Sequence, residues 1–129
     1  MSEALFILYV ENQAASARFY EQVLEKPPRL NVPGMTEFQL AEGAVLGLMP
    51  EDGIRRLLPK LPDPSRANRL PRAELYLYVD HPGQAYDNAI DCGAEVLDAL
   101  AQRGWGDWVA YCRDLDGHVL AFASKEEPK

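Results

Sequence analysis

The chain has 129 residues, 47% of them hydrophobic and 26% charged, with a formal net charge of −7. Those proportions describe a globular domain able to bury about two-thirds of its unfolded surface, and they exclude intrinsic disorder as the main state. The acidic balance argues against nucleic acid as a partner, because duplex binding needs a basic footprint that displaces counterions. The opening MSEALFILYV has no basic stretch before its short apolar run, so neither a signal peptide nor a membrane span is expected. The two cysteines, Cys92 and Cys112, have neither metal-site nor disulfide-framework spacing and read as reduced thiols of a cytoplasmic protein.

In chain order, Leu5-Phe6-Ile7-Leu8-Tyr9-Val10 is an apolar, β-rich run that reads as a largely buried strand. Asn12 is a good N-cap for a helix over 13–25, whose Ala15, Phe19, Val23 and Leu24 make one apolar face before Pro27-Pro28 stops it. Three short strands are predicted at 29–32, 36–40 and 44–49, separated by Pro33-Gly34 and Glu42-Gly43.

Residues 51–72 carry six basic side chains (Arg55, Arg56, Lys60, Arg66, Arg69, Arg72) against three acidic ones, and Pro59, Pro62, Pro64 and Pro71. A restrained linker over 51–71 is expected there, with a single helical turn at 54–58. Its basic face reads either as a solvated connection or as a patch facing an anion.

After the linker the pattern repeats. Leu75-Tyr76-Leu77-Tyr78-Val79 is a strand, and Pro82 opens a helix whose Ala85, Tyr86, Ala89 and Ile90 face inward and whose C′ residue is Gly93. Strands are predicted at 95–100, 108–113 and 118–123, with Asp116-Gly117 turning the last hairpin. Leu8-Tyr9-Val10-Glu11 matches Leu77-Tyr78-Val79-Asp80 at an offset of 69 residues. The chain is thus read as a single domain of two βαβββ modules, about 4–50 and 72–124.

Three stretches carry a resemblance to a known family. Tyr9-Val10-Glu11-Asn12 with Ser16-Ala17-Arg18-Phe19-Tyr20, Cys92-Gly93-Ala94-Glu95-Val96, and Gly104-Trp105-Gly106 through Arg113-Asp114-Leu115-Asp116-Gly117-His118 stand in order across nearly the whole chain. In that order and spacing they resemble the vicinal oxygen chelate superfamily, the glyoxalase, bleomycin-resistance and dioxygenase group, with Leu115 where its closing hairpin usually has proline. The resemblance implies an α+β fold in which tandem βαβββ repeats form a cup-shaped, incompletely closed mixed β-barrel. It also implies a homodimer.

Enzymes of that superfamily place metal ligands on the first and last strand of each module, and those positions fall here on Leu5, Gly47, Glu74 and Ala121. Only Glu74 can coordinate, whereas a divalent ion needs several protein donors to offset its dehydration. A register slip does not help, since Phe6, Ile7, Leu46, Leu48, Leu120 and Phe122 are the neighbours. His81 and His118 flank strand ends and suit capping or turn packing better than ligation.

Strand alternation then gives the lining. With Glu74 facing the cup, Tyr76 and Tyr78 join it, as do Ile7, Tyr9, Val45, Met49, Val119 and Ala123. Such an aromatic lining, opened by small residues, reads as a pocket for an organic molecule. Trp105 and Trp108, close to Tyr111, are candidate stacking faces for a flat or cationic ligand, or else core or dimer-contact residues. Glu74 is read either as a ligand-orienting carboxylate or as the partner of Arg72 or Arg113.

The candidate ligand-binding set is Tyr9, Met49, Glu74, Tyr76, Tyr78, Trp105, Trp108 and Tyr111, with no catalytic residue, metal or cofactor assigned. The expected function is metal-free binding or sequestration of a small planar or cationic organic molecule. The alternatives are a metal-dependent glyoxalase-like lyase or ring-cleaving dioxygenase, and a metal-free enzyme using Glu74 with a tyrosine as acid and base.

Overall fold

The computed structural model describes residues 1–128. The chain divides into two compact units, residues 1–68 and 69–129. Both are built on one plan of strand, helix and three strands.

In the first unit β1 (Ala4–Val10) is followed by α1 (Gln13–Leu24), β2 (Leu30–Val32), β3 (Met35–Ala41) and β4 (Ala44–Pro50). Asn12 caps α1, its Oδ1 accepting the Ala15 N–H at 3.0 Å, and Glu25 ends it in a left-handed conformation. The sheet order is β1-β4-β3-β2, with β1 parallel to β4 and the other pairs antiparallel. A parallel pair cannot be closed by a tight turn, and the helix and two intervening strands supply the crossover. One face of this sheet, with Val10, Phe38, Leu46 and Leu48, is sealed together with Phe19, Tyr20 and Val23 of α1. The helix face is wider than its spacing suggests, since Ser16, Ala17 and Tyr20 are buried as well.

The second unit repeats this with β5 (Glu74–Tyr78), α3 (Pro82–Asp91), β6 (Glu95–Gln102), β7 (Trp108–Arg113) and β8 (Val119–Ser124), in the order β5-β8-β7-β6. Again the first and last strands pair in parallel. The fold is α+β, with two four-stranded mixed sheets and no closed barrel: each sheet keeps two edge strands.

The 51–71 segment is more structured than its prolines suggest. Glu51–Leu57 forms α2, longer than the expected turn at 54–58, and Pro64–Ala67 forms a 3-10 turn. Ile54 is buried, and α2 packs on β4 and β1. Arg55 pairs with Asp52 and Asp63, so part of the basic segment is neutralised within the segment itself. The first unit therefore runs on to Asn68 rather than ending at residue 50.

His81 occupies the N-cap position of α3 without using its side chain; its carbonyl accepts the Ala85 N–H at 3.0 Å. Both cysteines are free thiols, and burial pushes Cys112 up to about 11. Among the described residues, no helix is long and apolar enough to cross a membrane.

The β7–β8 hairpin is organised by a buried acid. Asp114 Oδ1 accepts the backbone N–H of Asp116 at 2.9 Å and of His118 at 2.8 Å, while Gly117 takes a φ of +93° that an L side chain rarely adopts. Removing that carboxylate leaves two backbone donors without their acceptor. Asp114→Ala is expected to lower stability by about 1–3 kcal/mol. Chemical denaturation followed by tryptophan fluorescence checks this, because both tryptophans lie in the second unit.

Candidate functional site

The non-helical face of the second sheet is laid out by its register. Tyr76 pairs with Ala121, Tyr78 with Ala123, and across the next ladder Tyr111 pairs with Ala121 and Val109 with Ala123. Neighbours in register share a face, so three tyrosines stand over a floor of small side chains. Val109, Ala121 and Ala123 are fully buried, and Tyr76 and Tyr111 pack against them. Tyr76 and Tyr78 meet edge to face at 5.5 Å.

These rings are oriented by a residue that strand alternation does not reach. Between β6 and β7, Gly106 donates its N–H to the Arg103 carbonyl at 2.9 Å, and Arg103 donates its own to the Asp107 carbonyl at 2.8 Å. Gly106 adopts a φ of +101°, which turns the chain back. Asp107, only 8% exposed, accepts the Tyr76 hydroxyl at 2.6 Å and the Tyr78 hydroxyl at 2.7 Å, both on Oδ2.

Each tyrosine oxygen accepts in turn. The Trp105 indole N–H donates to Tyr76 Oη at 3.0 Å, and Lys125 Nζ lies 3.4 Å from Tyr78 Oη and 4.6 Å from the centre of its ring. All the donors point toward one carboxylate. Trp105 is 62% exposed, yet its nitrogen edge is tethered.

The titration behaviour follows from this geometry. The two tyrosine hydroxyls hold Asp107 below the usual carboxylate range, against an opposing effect of burial, so it stays ionised at neutral pH. Burial first, and then the bond to Asp107, pushes Tyr76 up to about 12. Tyr111 is raised too, first by burial and then by the charge of Glu74.

Arg103 fixes the frame of the hairpin. Its guanidinium donates to the carbonyls of Val109 and Ala99, pairs with Asp98 at 2.7 Å and lies 5.1 Å from the centre of the Tyr111 ring.

Of the expected site residues, Tyr76, Tyr78, Tyr111 and Trp105 come together here, and Glu74 begins the same strand on the same face. Trp108 does not join them. It pairs with Ser124 and shares the alternation of Ala110 and Cys112, on the face toward α3. Closeness in sequence to Trp105 hid that difference of parity.

Glu74 is exposed, and among the described residues it forms no ion pair with Arg72 or Arg113. Arg113 is committed to the Gly117 carbonyl, the Arg69 carbonyl and Glu95. Tyr9 and Met49 belong to the first unit, where they face each other across β1 and β4 on the side of Ile7 and Gly47. Asp107 and Lys125 were missed. An acid directly after Gly-Trp-Gly, one residue before a strand, was the available signal for Asp107.

The positions where the superfamily's enzymes hold a metal do not fit one. Leu5 and Ala121 carry no donor, and a Cβ on Gly47 would come within 2.9 Å of Ile7 Cγ1, so a longer side chain has no room there without a shift. Among the described residues no group of three or more His, Cys, Asp and Glu side chains converges.

The sequence matches the glyoxalase-like domain family over residues 6–123. No curated protein matches it. Among solved structures it is similar to a glyoxalase-related enzyme from Fulvimarina pelagi, at 22% identity and TM-score 0.81 over 94% of this chain and 86% of that one. It is similar also to a glyoxalase/bleomycin resistance protein/dioxygenase family enzyme from Burkholderia phytofirmans PsJN, at 14% identity and TM-score 0.77 over 95% and 97% of the two chains. A glyoxalase/bleomycin resistance protein from Catenulispora acidiphila aligns at 19% identity and TM-score 0.67 over 96% and 98%. Identities this low speak to the fold alone, but the family match spans most of the chain. The chain belongs to the glyoxalase-like domain family of the vicinal oxygen chelate superfamily.

Proposed function

We propose that the protein binds, and by binding sequesters, a small planar organic molecule on the aromatic face of its second unit, without a metal. The observation that carries this reading is Trp105: a largely exposed indole whose N–H is tied to the half-buried Tyr76, itself bonded to the buried Asp107. An exposed aromatic normally moves freely, whereas a tethered one keeps its face available and loses little entropy when a flat ligand stacks on it. The buried floor of Val109, Ala121 and Ala123 supports the Tyr76 and Tyr111 rings from beneath. Tyr9 and Met49 lie on the non-helical face of the first sheet.

The metal-dependent alternative, a glyoxalase-like lyase or a ring-cleaving dioxygenase, loses support from the donor set at Leu5, Gly47 and Ala121. A metal-free enzyme using Glu74 as acid or base loses support from the position of that residue. It is exposed and lacks a hydrogen-bonded partner among the described residues to position it.

The partners proposed are the small organic ligand and a second copy of the chain. β1 is an edge strand, and its Leu5, Phe6 and Ile7 are all exposed, Phe6 by 60%. Exposed apolar side chains in succession along an unpaired edge invite a cover.

Three outcomes test this reading. In calorimetric titrations with 10-methylacridinium, a planar cation, saturable binding is expected, and Trp105→Ala should weaken it about 3- to 30-fold, the range of one stacking contact. No binding, binding indifferent to Trp105, or stoichiometric tight uptake of Ni²⁺ or Mn²⁺ would overturn the assignment.

In spectrophotometric titration of tyrosine, one late ionisation near pH 12 is expected, and Tyr76→Phe should remove it. Because that group is raised above its unfolded value near 10, its contribution to stability is complete below pH 10 and is lost as pH rises toward 12. Sedimentation equilibrium is expected to give a dimer, which Phe6→Glu should shift toward monomer. A monomer for the unmodified chain would remove the second copy from the proposal.

A further inference from the structure

Asp107 poses an electrostatic problem that its hydrogen bonds only partly solve. The carboxylate is 8% exposed and held ionised, yet among the described residues no Lys, Arg or His nitrogen forms an ion pair with it. The nearest cation on its chain of hydrogen bonds, Lys125, stops at Tyr78 Oη. The two hydroxyl dipoles, the charge of Lys125 at a distance and the Trp105 N–H all favour the ionised form, but none of them is a cation in direct contact with the carboxylate, and a nearly buried charge is costly without one.

Both tyrosines converge on Oδ2, so neither occupies Oδ1. The second unit carries eleven Asp and Glu against six Lys and Arg, so its field draws cations in. Trp105, hydrogen-bonded to the same network, presents its exposed ring within one side chain of that charge.

We propose that Asp107 is the specificity-determining residue of this site, supplying the counter-charge for a ligand that joins a flat ring system to a protonated nitrogen bearing N–H, as in an aromatic amine, amidine or aminoheterocycle. The inference rests on the stacking role of Trp105 and adds a demand that stacking alone does not make. A quaternary cation satisfies a π face as well as a protonated amine does, because cation–π attraction needs only charge. A carboxylate discriminates between them, since only N–H can form a charge-assisted hydrogen bond to it.

The arrangement also explains why the two tyrosines approach from the same side. Their hydroxyls spend their protons on Oδ2, and their oxygens accept from Trp105 and Lys125. With those protons placed on Oδ2, Tyr76 Oη and Tyr78 Oη, Oδ1 is the position assigned to the ligand, beside the Trp105 indole that also helps to hold Asp107 ionised.

The test is a matched set of probes on the full chain: 9-aminoacridine (flat, cationic, with N–H), 10-methylacridinium (flat, cationic, without N–H) and acridine at pH 8 (flat, neutral). Calorimetry is expected to give at least a tenfold tighter binding of 9-aminoacridine than of 10-methylacridinium, with acridine weakest. Asp107→Asn should bring the ratio of the two affinities, 9-aminoacridine to 10-methylacridinium, down to about one whatever its effect on stacking itself, and Asp107→Glu should restore part of that ratio.

Equal affinity of the unmodified protein for the two cations would overturn the role of Asp107 while leaving the stacking reading intact. Failure of all three probes to bind would overturn both. Should Asp107→Asn not fold, the comparison on the unmodified protein decides the matter unaided. An equal loss for both cations in a folded Asp107→Asn would show a purely structural role and would also overturn the proposal.

Discussion

Two hydroxyl groups 2.6 and 2.7 Å from one carboxylate oxygen govern the second unit's aromatic face. The Tyr76 and Tyr78 rings are presented by β5, but a strand fixes only which side they leave from. Asp107 fixes where their hydroxyls end. Because each phenol has one proton, donating it to Asp107 leaves its oxygen free to accept, and Trp105 and Lys125 follow from that. An exposed indole, a cation over a ring and a buried acid are thus consequences of one convergence. The hairpin that supports it is itself held by Arg103, whose guanidinium binds two backbone carbonyls and Asp98.

Much of the fold was legible because its information is local and periodic. The 69-residue offset between Tyr9-Val10 and Tyr78-Val79 marked the duplication, and the turn residues placed every strand within a few positions. The period of two also put Tyr76 and Tyr78 on one face with Ala121 and Ala123, as the register shows. The same period, counted back from Cys112, would have put Trp108 on the opposite face. Reading the two tryptophans as a pair obscured it.

What the sequence did not disclose lies in turns and in long-range contact. Asp107 belongs to a bend whose course depends on a glycine at positive φ, and its partners are 31 and 29 residues earlier in the chain. No periodicity links them. Residues 51–68 were hidden for a different reason: prolines forbid some conformations but do not forbid packing, and Ile54 is enough to seat α2 on β4 and β1. Likewise, of the two readings open for Glu74, the ion pair with Arg113 does not form, since Arg113 binds the carbonyls of Gly117 and Arg69.

The small residues beneath the tyrosines carry a consequence for how such a face can diverge. Ala121 is paired with both Tyr76 and Tyr111, and it is completely buried, so no ligand on the face would touch it. Its volume nevertheless sets how low both rings lie. A branched side chain there would lift them, lengthen the reach to Asp107 and re-aim Trp105 in the same stroke. The shape of this face is therefore adjustable from underneath, by a residue in the floor that an inventory of surface groups would never include.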